Sequence, residues 1–218
     1  MKKFDTVKLF YDEYPYKISV TNSLCHLFRD KNLSFAKAEL DALQHQYEEG
    51  NSLVRKSWSK EIHIEKNSFF EAKNLYIEFC KQKDFKLRVQ GYNMQIYSHD
   101  YEWLQYLADK FSNICTEFWE PINKSLLKPN VIITDTKVEY EYKVTMDLDV
   151  DPNLANWIIN NPSKAKAGSV CLDTIKNNGF TKGLYFYVRD EKILQLLNLF
   201  IGKIQRIDKI VSSDNSDK

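Results

Sequence analysis

One stretch constrains the fold more than any other. Residues 182–211 read KGLYFYVRDEKILQLLNLFIGKIQRIDKIV. Leu184, Phe186 and Val188 alternate with two tyrosines, which is typical of a half-buried strand. Asp190 is a residue type that begins helices, and an apolar pattern with helical spacing follows it. Alternation resumes at Ile204, so the stretch predicts a strand, a capped helix and a second strand.

A weaker copy of this stretch lies upstream. Residues 96–111 align with residues 186–201, and five of the aligned positions are identical. An internal duplication explains these identities, and so does convergence, because any strand followed by a capped helix repeats such a pattern. The identical pairs are Tyr97 with Tyr187, Asp100 with Asp190, Leu104 with Leu194, Gln105 with Gln195, and Leu107 with Leu197.

The order of elements around both copies is strand, helix, strand, strand, helix, strand. We therefore predict an α+β chain with two tandem ferredoxin-like (βαββαβ) modules, over residues 59–121 and 129–212. In the first module the strict alternation at residues 61–65 predicts the first strand, and Ser68 opens a capping box. Such modules carry both helices on one face of the sheet and leave the other face open.

The remaining segments receive simpler predictions. Over residues 1–58 we expect a β-hairpin and two helices, because alternating runs at residues 7–20 flank the turn-forming sequence Asp12-Glu13-Tyr14-Pro15. Residues 163–180 hold either a strand near residues 169–172 or a short helix that ends at Asn177-Asn178-Gly179. Residues 213–218 form a polar tail.

Composition narrows the classes of function. Of the 218 residues 31 are basic and 30 acidic, so no overall positive field indicates nucleic acid. No two of the four cysteines form a C-x-x-C pair, and we expect free thiols and a reducing compartment. Neither a signal peptide nor a membrane span is predicted, which favours the cytoplasm. The 17 Asn against 8 Ala suggest AT-rich coding and a phage or viral source.

The open face of the second module is the leading candidate site. Lys182-Gly183-Leu184-Tyr185-Phe186-Tyr187-Val188 resembles the third-strand motif of RNA-recognition (RRM) domains in its Lys-Gly pair and in Phe186, and departs from it at Leu184 and Tyr185. The resemblance implies contact with single-stranded nucleic acid, which exposed tyrosines beside cations can stack and hold. The alternative is packing against another sheet or a subunit. The candidate residues are Lys143, Tyr185, Tyr187 and Arg189.

The open face of the first module is the second candidate. Lys86 and Arg88 are expected there and could contact phosphates. His63, Tyr97 and His99 could converge for metal-independent acid–base cleavage of RNA. Tandem ferredoxin-like modules resemble CRISPR repeat-processing ribonucleases, although the glycine-rich loop of that family is missing. The alternative is an ordinary polar surface.

Two further patterns complete the candidates. Asp147, Asp149 and Asp151 alternate, so a strand would place their carboxylates on one face, as a two-metal site requires. Such a site also needs a further acidic pair, which is missing where it would be expected. We therefore predict no metal and no cofactor. The tyrosines Tyr11, Tyr14 and Tyr16 of the predicted hairpin could lie on nucleic acid, and they suit a partner protein or self-association equally well. We expect a non-enzymatic protein that binds single-stranded nucleic acid, with an assembly protein as runner-up and a ribonuclease third.

Overall fold

A computed structural model describes residues 1–57 and 60–213. The chain divides into two compact units. Unit 1 comprises Met1–Thr6 and Glu13–Pro121, and unit 2 comprises Val7–Asp12 and Ile122–Lys218. Each unit is a mixture of helices and strands around its own hydrophobic core, which confirms the predicted α+β class.

Unit 1 is built on one five-stranded sheet and a separate two-stranded one. Its elements in chain order are β1 (Lys2–Thr6), β2 (Tyr16–Thr21), a short helical segment (Cys25–Lys31), α1 (Leu33–Glu48), β3 (Val54–Ser57), β4 (Lys60–His63), α2 (Lys66–Lys81), β5 (Lys86–Gln90), β6 (Asn93–Ser98), α3 (Tyr101–Lys110) and β7 (Cys115–Pro121).

The five-stranded sheet has the order β1-β7-β2-β6-β5. β1 runs parallel to β7, and the other neighbours are antiparallel. The N-terminal hairpin is therefore wrong, because β2 pairs with β6 and β7 and lies at the centre of the sheet. Alternation shows that residues 16–21 form a strand but does not identify its partner. Burial decides the partner, since Ile18 and Val20 are fully enclosed by the core.

The predicted first strand of the first module is also wrong. β4 pairs with β3 in the two-stranded sheet and takes no part in the five-stranded one. Ile62 is 40% exposed whereas Ile64 is buried, so one apolar side chain of the alternating run is not enclosed. Residues 13–57 group with unit 1, and residues 7–12 group with unit 2.

Two helices of unit 1 begin at side-chain caps. Asn32 accepts a hydrogen bond from the amide of Phe35 at the start of α1, and Asp100 accepts one from Trp103 at the start of α3. The predicted capping box is wrong, because α2 already begins at Lys66 and Ser68 lies within the helix. The Ser68 carbonyl instead accepts a hydrogen bond from the Asn22 amide.

Unit 2 carries the second five-stranded sheet. Its elements are β8 (Val131–Thr134), β9 (Tyr142–Met146), α4 (Asn153–Asn160), β10 (Ala165–Ala167), α5 (Ser169–Lys176), β11 (Tyr185–Val188), α6 (Glu191–Leu196), a helical turn (Leu197–Leu199) and β12 (Ile204–Ser212).

The strand order in unit 2 is β10-β11-β9-β12-β8. β8 runs parallel to β12, and the other pairs are antiparallel. Val144, Met146, Phe186 and Val188 are fully buried on the face that carries the helices, as their alternation predicts. Asp190 caps α6 by accepting a hydrogen bond from the amide of Ile193.

The ambiguous residues 163–180 contain both kinds of element. The strand is β10, earlier than the expected position near residue 169, and the helix is α5. The helical alternative is correct because Cys171 and Ile175, one turn apart, are buried in the core of unit 2. Except for Ser213, the predicted polar tail lies outside the described residues.

The four cysteines differ in their exposure to solvent. All four cysteines are free, with Cys80 exposed and Cys25, Cys115 and Cys171 buried. Burial raises the pKa of Cys25 to about 12 and the pKa of Cys115 to about 11, so these thiols stay protonated at neutral pH. In the part of the chain that the structure describes, no helix has the length and apolar character needed to cross a bilayer.

Candidate nucleic-acid interface

Five side chains form what we call the tyrosine patch, on the face of the unit 2 sheet opposite its buried residues. The patch follows from the alternation of β11, because Phe186 and Val188 point into the core and the tyrosines between them must point outward. Two flanking cations, on β10 and directly after β11, are exposed. The members are Lys143, Lys166, Tyr185, Tyr187 and Arg189.

The register of the strands sets the geometry of the tyrosine patch. Tyr187 lies opposite Lys143 on β9 and opposite Lys166 on β10. The Lys143 ammonium lies 3.9 Å from the centre of the Tyr185 ring, within cation–π range. The two tyrosine rings meet edge to face with centroids 5.7 Å apart, and Tyr185 remains 44% exposed. A half-open aromatic surface results, with the Lys143 cation lying over the Tyr185 ring.

The positive charges near the tyrosine patch are not all equally available to a ligand. Burial lowers the pKa of Lys143, the positive charges of Lys8 and Arg206 lower it further, and Asp208 opposes the shift. Arg206 is committed to carboxylates, with two contacts of 2.5 Å to Asp12 and one of 2.5 Å to Asp208. Arg206 is therefore less available to a ligand than the exposed Lys166 and Arg189.

The pKa of Tyr187 is shifted as well. Burial raises the pKa of Tyr187, and the neighbouring Tyr185 raises it further through its charge and a hydrogen bond. Both effects keep the phenol neutral at physiological pH. A neutral phenol ring beside ammonium groups can stack on an unpaired base without repelling the phosphate next to that base.

The corresponding face of unit 1 carries a row of related side chains. Lys86, Tyr97, Lys17 and Trp119 lie opposite one another on β5, β6, β2 and β7. The Lys17 ammonium lies 4.1 Å from the centre of the Trp119 ring. This row is closed, since Tyr97 is 3% and Lys17 7% exposed, and burial lowers the pKa of Lys17. Arg88, also predicted here, is exposed on β5.

Lys17 and Lys166 were not among the residues predicted to lie on these two sheet faces. The signal for Lys17 was available, because Tyr16-Lys17-Ile18-Ser19-Val20 is similar to Tyr142-Lys143-Val144-Thr145-Met146. The assignment of residues 61–65 to the first strand hid it. Lys166 lies on β10, a strand of three residues, which is too short for its alternation to be read.

The predicted acid–base set is not brought together. His63 lies on β4, outside the five-stranded sheet that carries Tyr97. Tyr97 is buried and donates its phenolic proton to Gln95 Oε1 at 2.5 Å. His99 lies 3.4 Å from Asp84, and its ring is 5.0 Å from that of Tyr14. Tyr97 and His99 therefore make local packing and polar contacts, without the third member of the set.

The tyrosines of the predicted hairpin do not form an exposed edge. Tyr11 is 47% exposed, but Tyr14 and Tyr16 are buried. Burial and a hydrogen bond with Glu13 raise the pKa of Tyr14 to about 12, and Tyr16 packs edge to face on Tyr101 at 5.2 Å. This correction follows from the position of β2, whose first residues enter the core of unit 1.

The alternating aspartates have individual structural contacts. Asp147 lies 3.6 Å from the Lys203 ammonium, and Asp151 accepts a hydrogen bond from the amide of Asn153 at the start of α4. The Asp149 carboxylate lies against Gly202, where a larger residue would collide with it. Within residues 1–57 and 60–213, no three His, Cys, Asp or Glu side chains are arranged to hold a metal ion.

Comparisons with known proteins add no further constraint. No protein-family model matches the chain, and neither the curated proteins nor the solved structures contain one that is similar to it.

Proposed function

We propose that the two units are tandem ferredoxin-like modules. Numbering the sheet strands of each module in chain order, without the parallel edge strand, gives the spatial order four, one, three, two in both units. This is the order of the βαββαβ unit, with neighbouring strands antiparallel. In unit 1 the first strand is β2, so this module begins well before residue 59.

We propose further that the protein is a non-enzymatic binder of single-stranded nucleic acid and that the tyrosine patch makes the contact. One observation carries this proposal: the 44%-exposed Tyr185 ring has the Lys143 ammonium 3.9 Å from its centre and Tyr187 at its edge. An aromatic face beside cations binds a base and its phosphate together, whereas a purely apolar face would favour a protein partner.

The magnitude of the expected affinity follows from the size of the tyrosine patch. Stacking one base on an aromatic side chain contributes about 1–3 kcal/mol. The three cations Lys143, Lys166 and Arg189 displace few counterions, so the salt dependence is shallower than that of proteins with extended phosphate tracks. The net charge of +1 adds no long-range attraction. We therefore expect moderate affinity with little sequence preference from this patch.

The test is a titration of labelled single-stranded RNA and DNA of about 12 nucleotides, followed by fluorescence anisotropy at two salt concentrations. The double variant Tyr185→Ala with Tyr187→Ala should weaken binding by about tenfold or more, since about 1.4 kcal/mol is tenfold. Tyr106→Ala, at a 46%-exposed tyrosine on α3, is the matched control and should leave binding unchanged.

Other outcomes separate the remaining functions. Absence of binding at low salt would refute the proposal. A fixed oligomer in sedimentation, together with absence of binding, would favour the runner-up, an assembly protein that uses its tyrosines for protein contacts. Cleavage of the RNA, lost on His63→Ala, would favour the ribonuclease, although His63 lies outside the sheet that carries Tyr97.

A further inference from the structure

A polar pocket of about 240 Å³ lies on the open face of the unit 1 sheet. Its floor is a set of four side chains that we call the polar row, Arg88, Gln95, Ser19 and Glu117, which lie opposite one another on β5, β6, β2 and β7. Ser19 is short and central, and its two neighbours are long. Because side chains directly opposite on a sheet stand only about 5 Å apart at Cβ, a short one between long ones leaves a depression.

Hydrogen bonds orient the acceptor at one end of the polar row. Glu117 Oε2 accepts from the Ser19 hydroxyl at 3.1 Å and from the Trp119 indole at 3.0 Å. No hydrogen bond within the described residues ends on Glu117 Oε1, although the positive charge of Lys17 acts on the same carboxylate. One carboxylate oxygen is thus held by the protein, and the two lone pairs of the other remain able to accept from two N–H groups of a ligand.

Donors stand at the other end of the polar row. Gln95 Oε1 accepts from the Tyr97 hydroxyl, which leaves the amide nitrogen of Gln95 as the group that can donate into the pocket. Arg88 is exposed on the edge strand β5 and lines the same pocket, with the Gln90 amide next to it. The pocket therefore presents a carboxylate acceptor on one side of Ser19 and a guanidinium with amide donors on the other.

This arrangement matches one nucleobase better than the others. Guanine carries two donors, N1–H and the N2 amino group, that a carboxylate accepts, and two acceptors, O6 and N7, that Arg binds as a pair. Adenine places a donor at N6 where guanine has O6, and would meet the Arg88 and Gln95 donors with a donor. The volume is below the roughly 300–1,000 Å³ of pockets for drug-sized ligands, as suits a single base.

We propose that the polar row of unit 1 binds a guanine base. Glu117 accepts from N1–H and the N2 amino group, while Arg88 and Gln95 donate to O6 and N7. The guanine belongs to a single-stranded nucleic acid, which deepens the proposed function: the tyrosine patch supplies affinity with little base preference, and the polar row supplies the preference.

The experiment uses the full chain and isothermal titration with the 5′-monophosphates of guanosine, adenosine and inosine. Guanosine monophosphate should bind about 5- to 150-fold more tightly than adenosine monophosphate, the discrimination of one good bidentate pair. Inosine monophosphate, which lacks the N2 amino group, should fall between them. Equal binding of the guanosine and adenosine nucleotides would overturn the proposal.

Matched variants test the role of each residue. Glu117→Gln should remove most of the preference for guanosine monophosphate, whereas Glu120→Gln, the same change on the same strand but on the opposite face, should leave it intact. Arg88→Gln should also weaken the binding of guanosine monophosphate. Because Arg88 is exposed, this change should not disturb folding. The same effect from Glu117→Gln and Glu120→Gln would overturn the assignment.

Oligonucleotides separate this inference from the proposed function. Suppose that an oligonucleotide binds through Tyr185 and Tyr187 without any preference for guanine, while guanosine monophosphate does not bind. In that case the assignment of the polar row to guanine is wrong and the proposed function stands. If guanosine monophosphate binds with the expected preference but no oligonucleotide binds, the pocket is a site for the free nucleotide and the proposed function is wrong.

Discussion

The five-stranded sheets of unit 1 and unit 2 have the same strand order. They differ in the elements inserted between the strands and in how exposed their outward side chains are. In both five-stranded sheets, an edge strand runs parallel to the strand that comes last in the chain, and the other four strands of the sheet have one spatial order. Even a local irregularity recurs: the last strand is bulged, with Thr116 skipped opposite β2 and Gln205 skipped opposite β9. Convergence explains a common strand order more easily than it explains a bulge at the same place, so the comparison favours internal duplication.

The difference lies in the insertions. Unit 1 places a helical segment, α1 and the β3–β4 sheet between β2 and α2, whereas unit 2 passes directly from β9 to α4. Unit 2 instead places α5 between β10 and β11. Both sheets carry a Lys–Tyr–Lys row in the same register, with Tyr97 between Lys86 and Lys17, and Tyr187 between Lys166 and Lys143.

Exposure of the two rows is not the same. Tyr97 is 3% exposed, whereas Tyr187 is only half-buried and its neighbour Tyr185 is 44% exposed. A repeated sheet therefore fixes where a side chain points, and the surroundings of that sheet decide whether the side chain can meet a ligand.

The largest expected effect tests whether the equivalent cores are independent. Ile96 on β6 and Phe186 on β11 occupy matching positions, and both are fully buried. Phe186→Ala should lower the free energy of unfolding by about 3–5 kcal/mol and Ile96→Ala by about 2–5 kcal/mol, through lost burial and the cavity left behind. Hydrogen exchange should show lost protection on β9 in the first variant and on β2 in the second. Loss of protection in both units from either variant would break the comparison.

A smaller effect should appear at a buried carboxylate on a helix of unit 1. Glu78 on α2 is buried and accepts hydrogen bonds from Lys110 at 2.7 Å and Lys81 at 3.0 Å. Glu78→Gln should cost about 1–2 kcal/mol in urea unfolding, a modest value because both lysines are partly exposed. Glu102→Gln, at an exposed position of α3, is the control. Equal stability of the two variants would show that the buried carboxylate contributes nothing.

The same carboxylate predicts a pH dependence. Burial alone would raise the pKa of Glu78, but the hydrogen bonds from Lys110 and Lys81 hold the pKa below the ordinary value of 4.5. Its contribution to stability is therefore present above pH 4.5 and is lost as the pH falls through the folded-state pKa. Glu78→Gln should make the acid limb of a stability–pH curve shallower.

Equivalent helix caps should give equal and still smaller effects. Asp100 and Asp190 each accept a hydrogen bond from the amide three residues later, at 2.9 Å and 3.0 Å. Asp100→Ala and Asp190→Ala should each cost about 1 kcal/mol in denaturant unfolding, and the Asn variants should restore most of it. A large difference between the two positions would argue against their equivalence.

The smallest effect belongs to His26, within the insertion found only in unit 1. Its Nδ1 lies 3.0 Å from the Ser23 carbonyl and its Nε2 2.5 Å from the Arg55 guanidinium. Burial, and then the charge of Arg55, lower its pKa below 6.5, so the unfolded chain takes up the proton first. Stability should decline as the pH falls below 6.5, by less than about 1.4 kcal/mol per pH unit. His26→Gln should flatten that slope, and an unchanged slope would contradict the prediction.

The sequence by itself determined the local elements and the faces of most strands. The alternation of Leu184, Phe186 and Val188 sufficed to place Tyr185 and Tyr187 outward, because successive side chains of a strand point to opposite faces. Asp100 and Asp190 marked two helix starts, since few other side chains satisfy the free amides there.

Only the tertiary structure decided which strands pair and which outward side chains are exposed. Residues 16–21 and 61–65 both alternate, and nothing local shows that the first lies at the centre of a sheet while the second pairs with β3. Strand pairing depends on which apolar faces can be enclosed together, and Ile18 and Val20 are enclosed while Ile62 is not. The polar row joins Ser19 to Arg88, Gln95 and Glu117, about 70 to 100 residues later in the chain, so it exists only once β2 is in register with β6 and β7.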